Sequence, residues 1–171
     1  MALFERNKNI KADLIDNGLL KIEVSMLDNV HQITTKYLIS FPEKIIKKAD
    51  ASFQRAPYIK VCSHAKEKMT NLENIKINNG FSETVIKALG GKNGCYHLVD
   101  QALEMAKSLY QFIDKSYNIP FAEYIDNASL FREKVLDLYP GIEGMCMAYN
   151  TENNHLFTKD VKCGLMEDLV I

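Results

Sequence analysis

Four cysteines, four histidines and a glycine-rich loop are the features of this chain best suited to chemistry. The first candidate closes the segment Arg55-Ala56-Pro57-Tyr58-Ile59-Lys60-Val61-Cys62. Pro57 favours an extended approach, which would set Cys62 at or near the start of the next helix. A thiolate there gains from the positive end of the helix dipole. The second candidate is Gly90-Gly91-Lys92-Asn93-Gly94-Cys95-Tyr96-His97. Its three glycines permit a tight turn or a close approach to a ligand. Cys95 would open a helix, and Cys95 and His97 could share a metal only with Cys95 in the cap. The loop lacks the Gly-Lys-Ser/Thr ending of a nucleotide-binding loop. The third candidate is Asp28-Asn29-Val30-His31, a turn whose carboxylate and imidazole suit a metal or acid–base chemistry. Cys146, between Met145 and Met147, reads first as a buried apolar residue and second as a substitute ligand. Cys163, His64 and His155 have no convincing partners in sequence.

The bland readings are equally concrete. A small buried cysteine explains Cys62, a polar turn explains Asp28 and His31, and an exposed residue paired with Asp100 explains His97. No C-x-x-C pair or finger spacing occurs, so any site is assembled in space from separate loops.

Elements that could position these residues follow from periodicity. Leu20, Ile22, Val24 and Met26 alternate with polar residues, as do Ile33, Thr35, Tyr37 and Ile39, and then Ile45, Lys47, Ala49, Ala51 and Phe53. Period two predicts an antiparallel three-stranded meander, with a turn at Asp28-Asn29 and a break at Phe41-Pro42-Glu43. Helices should follow over Ser63–Leu72, from a Ser82 cap to Gly90-Gly91, from Cys95 to about Tyr117 with Pro120 beyond, and over Ala128–Leu138. The stripe of the long helix is Leu98, Ala102, Met105, Leu109 and Phe112. Met145 to Tyr149 suggests a late strand, and the segment from about 150 is ambiguous. The fold class is α+β, one domain over 1–171, with a three-stranded β-meander and helices packed on one face.

The 171 residues carry 21 Lys plus Arg against 22 Asp plus Glu, a formal charge of −1, with 47% apolar residues. Such proportions exclude a disordered tail, a fibre and a basic nucleic-acid wrapper. Nucleic-acid binding is disfavoured, the dense basic patch being only Lys44, Lys47 and Lys48. There is no signal-peptide pattern and no membrane-length apolar run, so a cytoplasmic location with reduced thiols is the expectation.

The motifs Arg55-Ala56-Pro57-Tyr58-Ile59-Lys60-Val61-Cys62, Gly80-Phe81 and Leu89 to Leu98 resemble an uncharacterised bacterial domain-of-unknown-function family with the pattern R-x-P-Y-x-x-C, G-F, L-G-G-x-x-G-C-x-H-L, from which this chain departs by one extra residue between Tyr58 and Cys62. Asp28 with His31, and Cys146 to Tyr149, also fit. Ile59 stands where family members commonly carry a second proline. The order of parts is more distantly similar to iron–sulfur scaffold proteins of the NifU/IscU type. There, a meander bears ligands in its first loop, a cysteine after its third strand and a cysteine at the start of a long helix. The matching places here hold Asp28 and His31, Cys62 and Cys95. The scaffold's first-loop cysteine and its Gly-Cys-Gly are absent, and the tail after Tyr117 is extra.

Three functions compete. One is a zinc or iron–sulfur site with Cys62 and Cys95 as ligands, completed by His31, His97 or Asp28, with Cys146 in reserve. Another is a thiol enzyme with Cys95 as nucleophile, activated by His97 or His31, and an oxyanion hole from backbone N–H groups of Gly91 to Cys95. The third is a non-catalytic module that binds a protein partner.

Overall fold

The computed structural model describes residues 2–15, 18–41, 43–116, 127–138, 140–158 and 161. Phe112's side chain, Pro42, Pro120 and Cys163 lie outside the described positions. Four antiparallel strands run β1 (Arg6–Ile15), β2 (Leu19–Asp28), β3 (Gln32–Ser40) and β4 (Ile45–Arg55), paired in sequence order. The expected meander is therefore β2 to β4, and a fourth strand precedes it. The signal for β1 is present in the sequence: Ile10, Ala12 and Leu14 alternate with Asn9, Lys11 and Asp13. It is weak because β1 is an edge strand whose Ile10 and Leu14 stay exposed.

Alternation decides which face is buried. Leu20, Ile22, Val24 and Met26 of β2, Ile33, Tyr37 and Ile39 of β3, and Ile46, Ala49 and Ala51 of β4 are removed from solvent. In β4 the expected face of Ile45, Lys47, Ala49, Ala51 and Phe53 holds only in part: the register shifts opposite Leu38 and Ile39, which buries Ile46 and leaves Lys47 exposed. Against this face lies α3 (Tyr96–Ser116), whose Leu98, Ala102, Met105 and Leu109 recur at helical spacing and are fully buried. Polar groups also cross this layer. Thr35 Oγ1 donates to Gln101 Oε1 at 3.0 Å, and Lys8 Nζ of β1 meets Asp100 at 2.6 Å. Before α3 come a short α1 (Ile59–Cys62), a 3₁₀ stretch (Ser63–Leu72) and α2 (Phe81–Leu89). Ser63–Leu72 is thus helical, as expected, but with tighter winding, and it buries Ala65, Met69 and Leu72. For α2, the cap is Gly80 at φ +88°, not Ser82. That left-handed value suits glycine, and it brings Phe81 into the core as the first helical residue.

The contacts divide the chain into two compact units, Met1–Phe112 and Ile113–Ile171. In the second, α4 (Ala128–Leu138) buries Arg132, whose Nη2 donates to Asn150 O at 3.0 Å and whose guanidinium stacks on Phe157 at 4.9 Å. The expected strand at Met145 to Tyr149 is instead a 3₁₀ turn, Met147–Tyr149. Its Met145 and Met147 are exposed, so no apolar face drives a strand there. No helix among the described residues is long and apolar enough to cross a membrane.

Candidate metal centre

The turn between β2 and β3 is built by one carboxylate. Asp28 Oδ1 accepts the backbone N–H of Val30 at 2.8 Å and of His31 at 2.6 Å, while Asp28 N donates to His31 O at 2.9 Å. This is the local hydrogen bonding that favours Asp at tight turns. Oδ2 faces the other way. It accepts Arg6 Nη2 at 2.7 Å and Nε at 3.0 Å, from the residue that the β1–β2 register sets opposite Asp28. Arg55, at the end of β4, donates to the Asp28 carbonyl. The Asp28 side chain has no solvent exposure. Burial alone would push its carboxyl up. The His31 and Val30 N–H groups, with Arg6 and the His31 ring, outweigh it and hold the group well below the ordinary carboxylate range.

His31 turns its ring back on the same carboxylate, Nδ1 lying 3.2 Å from Oδ1. With Nδ1 so held, Nε2 is the ring nitrogen left for other chemistry. His97, in the first turn of α3, brings a second imidazole: the two ring centroids are 4.2 Å apart, with the planes tilted by 42°. His97 Nε2 is buried and has no hydrogen-bond partner among the described residues. Burial, and then the neighbouring His31 and Arg6, push its pKa down, which favours the neutral ring with a free lone pair. Asp100 is not its partner, since Asp100 pairs with Lys8.

Asp28, His31 and His97 each offer a ligand atom, all within 4.8 Å of one another, in the one such group of three among the described residues. The structure brings these three candidates together from the first hairpin and the start of α3. Cys62, Cys95 and Cys146 stand outside the group. Cys62, a half-buried free thiol, ends α1 and takes the cap position of the 3₁₀ stretch Ser63–Leu72, the helix start expected of it. Its N–H already donates to Tyr58 O at 2.8 Å, so it is not one of the free N–H groups of a helix start. Cys95, also half-buried, does occupy the cap of α3, its carbonyl accepting Leu98 N and Val99 N. Cys146 lies in the second unit and is exposed, contrary to the buried packing expected of it. His64 and His155 are exposed, beside Glu67 and the Glu152 carbonyl.

The glycine-rich loop has a structural explanation. Gly94 N donates to Gly91 O at 3.1 Å and Cys95 N to Leu89 O at 2.8 Å. Those two N–H groups are committed within the loop, which removes them from the oxyanion hole expected around Gly91 to Cys95. A Cβ on Gly94 would sit 2.0 Å from Leu89 O, and one on Gly90 would sit 2.5 Å from Ile86 O. The glycines allow the loop to fold back onto the end of α2.

The same loop and the two motif segments before it fall inside the stretch that matches a known family, residues 4–111, described as a protein of unknown function, DUF2889. The chain belongs to the DUF2889 family. No curated protein and no solved structure matches it. The DUF2889 stretch takes in all four strands and the three residues of the candidate centre. Two residues of this candidate centre carry no chemical signal of their own in the sequence. Arg6 lacks any motif, and its role depends on the β1–β2 register. Arg55 was legible as the first letter of the R-x-P-Y motif, but its contact with the Asp28 carbonyl was not.

Proposed function

We propose that this protein binds one divalent first-row transition metal, of the zinc or ferrous class, through His31, His97 and Asp28. The observation that carries the reading is the buried Nε2 of His97, without a partner among the described residues and set against a second imidazole and a carboxylate. Buried polar nitrogens normally have partners, and one without any calls for a cation, a water or a ligand group. Two imidazoles and one carboxylate are a donor set of borderline softness that suits zinc or ferrous iron and suits calcium poorly. Such a set leaves coordination positions open, so a bound metal would supply Lewis acidity to a further ligand. The carboxylate also fixes the His31 ring, the orienting role that second partners of ligating histidines often play.

A thiolate site or an iron–sulfur cluster would draw instead on Cys62 and Cys95, and the test separates the two readings. Purified protein is titrated with Co²⁺, read by visible absorption, and with Zn²⁺ by competition. One metal per chain is expected. His31→Ala and His97→Ala should each weaken binding by about 100-fold or more, as loss of a direct ligand does. Cys62→Ser and Cys95→Ser should leave it unchanged. A thiolate charge-transfer band that vanishes in the cysteine variants would move the site to the thiols. No metal bound at micromolar concentration would overturn the reading.

A further inference from the structure

We infer that Arg6 is a built-in competitor for the metal, a cationic plug that must leave Asp28 before the carboxylate can ligate; the inference rests on the metal reading above. The lone pairs of Asp28 are already engaged. A carboxylate offers about four acceptor sites. Oδ1 faces two backbone N–H groups and the His31 ring, and Oδ2 faces Arg6 Nη2 and Nε. The backbone donors belong to the turn and cannot leave without opening the hairpin. The guanidinium can. It sits at the first residue of the edge strand, with its side chain about a third exposed. It also rests over the Phe4 ring, 5.2 Å from the centroid, which offers the displaced cation a face to stay on.

Charge leads to the same assignment. The carboxylate is already matched by the Arg6 guanidinium, and Arg55 brings a second positive charge to the Asp28 backbone carbonyl. A divalent ion on Oδ2 would stand within a few ångströms of a like-charged group in a poorly solvated pocket, so ion and guanidinium exclude one another. Exclusion is reciprocal: whatever Arg6 costs the metal, the metal costs the Arg6–Asp28 pair. In the metal-free protein, Arg6 keeps a buried carboxylate from standing uncompensated, and it raises the threshold at which an ion is accepted. The device selects against weakly held cations, which gain too little from two imidazoles to displace it.

The test compares Co²⁺ and Zn²⁺ affinity in the full chain and in Arg6→Gln, with Lys8→Gln as a control for the general loss of a cation from the same strand. Lys8 pairs with Asp100, not Asp28. Arg6→Gln should bind about tenfold more tightly, the scale of one charge-assisted hydrogen bond, and Lys8→Gln should change little. In parallel, the wild-type chain is treated with phenylglyoxal and the modified arginines are mapped by mass spectrometry. Zn²⁺ should increase labelling of Arg6. This second measurement stands even where Arg6→Gln fails to fold. Wild-type binding with equal or weaker affinity in Arg6→Gln, or Zn²⁺ that leaves Arg6 labelling unchanged or reduced, overturns the plug while the metal site survives. No binding in either protein overturns both.

Discussion

Asp28→Ala is expected to lower the stability of the metal-free protein by about 3 kcal/mol, because it leaves Arg6 without its anion and strips the turn of its acceptor. Arg6 and the backbone N–H groups of Val30 and His31 lose their acceptor together, and the His31 ring loses its neighbour. The side chain is fully removed from solvent, so water cannot restore these bonds without local opening. Asp28→Asn separates charge from geometry. Its amide oxygen can still accept the turn N–H groups, so it should cost less than alanine. Chemical denaturation of both variants in a chelating buffer gives the comparison. The pH dependence has a definite sign. The carboxyl of Asp28 is held below its unfolded value, so its stabilisation is complete well above that value and is lost as pH falls below about 4. The wild-type chain should lose stability steeply on acidification below that point. Asp28→Asn should show a shallower slope there and coincide in shape with wild type near neutrality. Equal slopes would mean that the buried carboxylate is not what the acid limb reports.

Gly94→Ala is expected to cost about 3 kcal/mol or to prevent folding, the upper range for forcing atoms into an occupied space. The contact is with backbone rather than a movable side chain: Leu89 O at 2.0 Å and Gly90 O at 2.4 Å. Relief would require the loop to move away from the end of α2, breaking the bond from Cys95 N to Leu89 O. Gly91→Ala tests a different quantity. Nothing lies near its added Cβ, but its φ of +76° strains any L side chain, so a cost nearer 1 kcal/mol is expected. Thermal melts of the two variants should rank Gly94→Ala well below Gly91→Ala. The reverse order would show that backbone freedom, not close approach, explains the glycines.

Much of the first unit was legible in the sequence because β2 to β4 face a core on one side, which imposes an alternation kept throughout β2 and β3 and broken in β4 only by the shift that buries Ile46 in place of Lys47. The long helix was legible from Leu98, Ala102, Met105 and Leu109, which all enter that core. Where burial is weak, the pattern carries less. The edge strand β1 keeps Ile10 and Leu14 exposed and escaped the reading. Met145 and Met147 looked like strand residues by type but are exposed beside a 3₁₀ turn. At the candidate site, Asp28, His31 and His97 were each visible as ligand types in turn or helix-start contexts. Which of the six candidates would meet was not visible, because that depends on α3 lying across the sheet with its first turn over the β2–β3 hairpin. Cys62 and Cys95 each occupy the helix start their sequence context predicts, yet neither belongs to the group of three, because a helix start fixes local geometry and not which loops meet.

The pairing of Arg6 with Asp28 also has a place in time. Both residues belong to the first hairpin, β1 with β2, whose contacts are near in sequence and close with little loss of chain entropy. His97 is made much later and reaches the hairpin only when α3 docks. A nascent chain leaving the ribosome would therefore seal its buried carboxylate with an arginine before the second imidazole exists. During synthesis, the half-built centre would be shielded from stray ions until both histidines are in place.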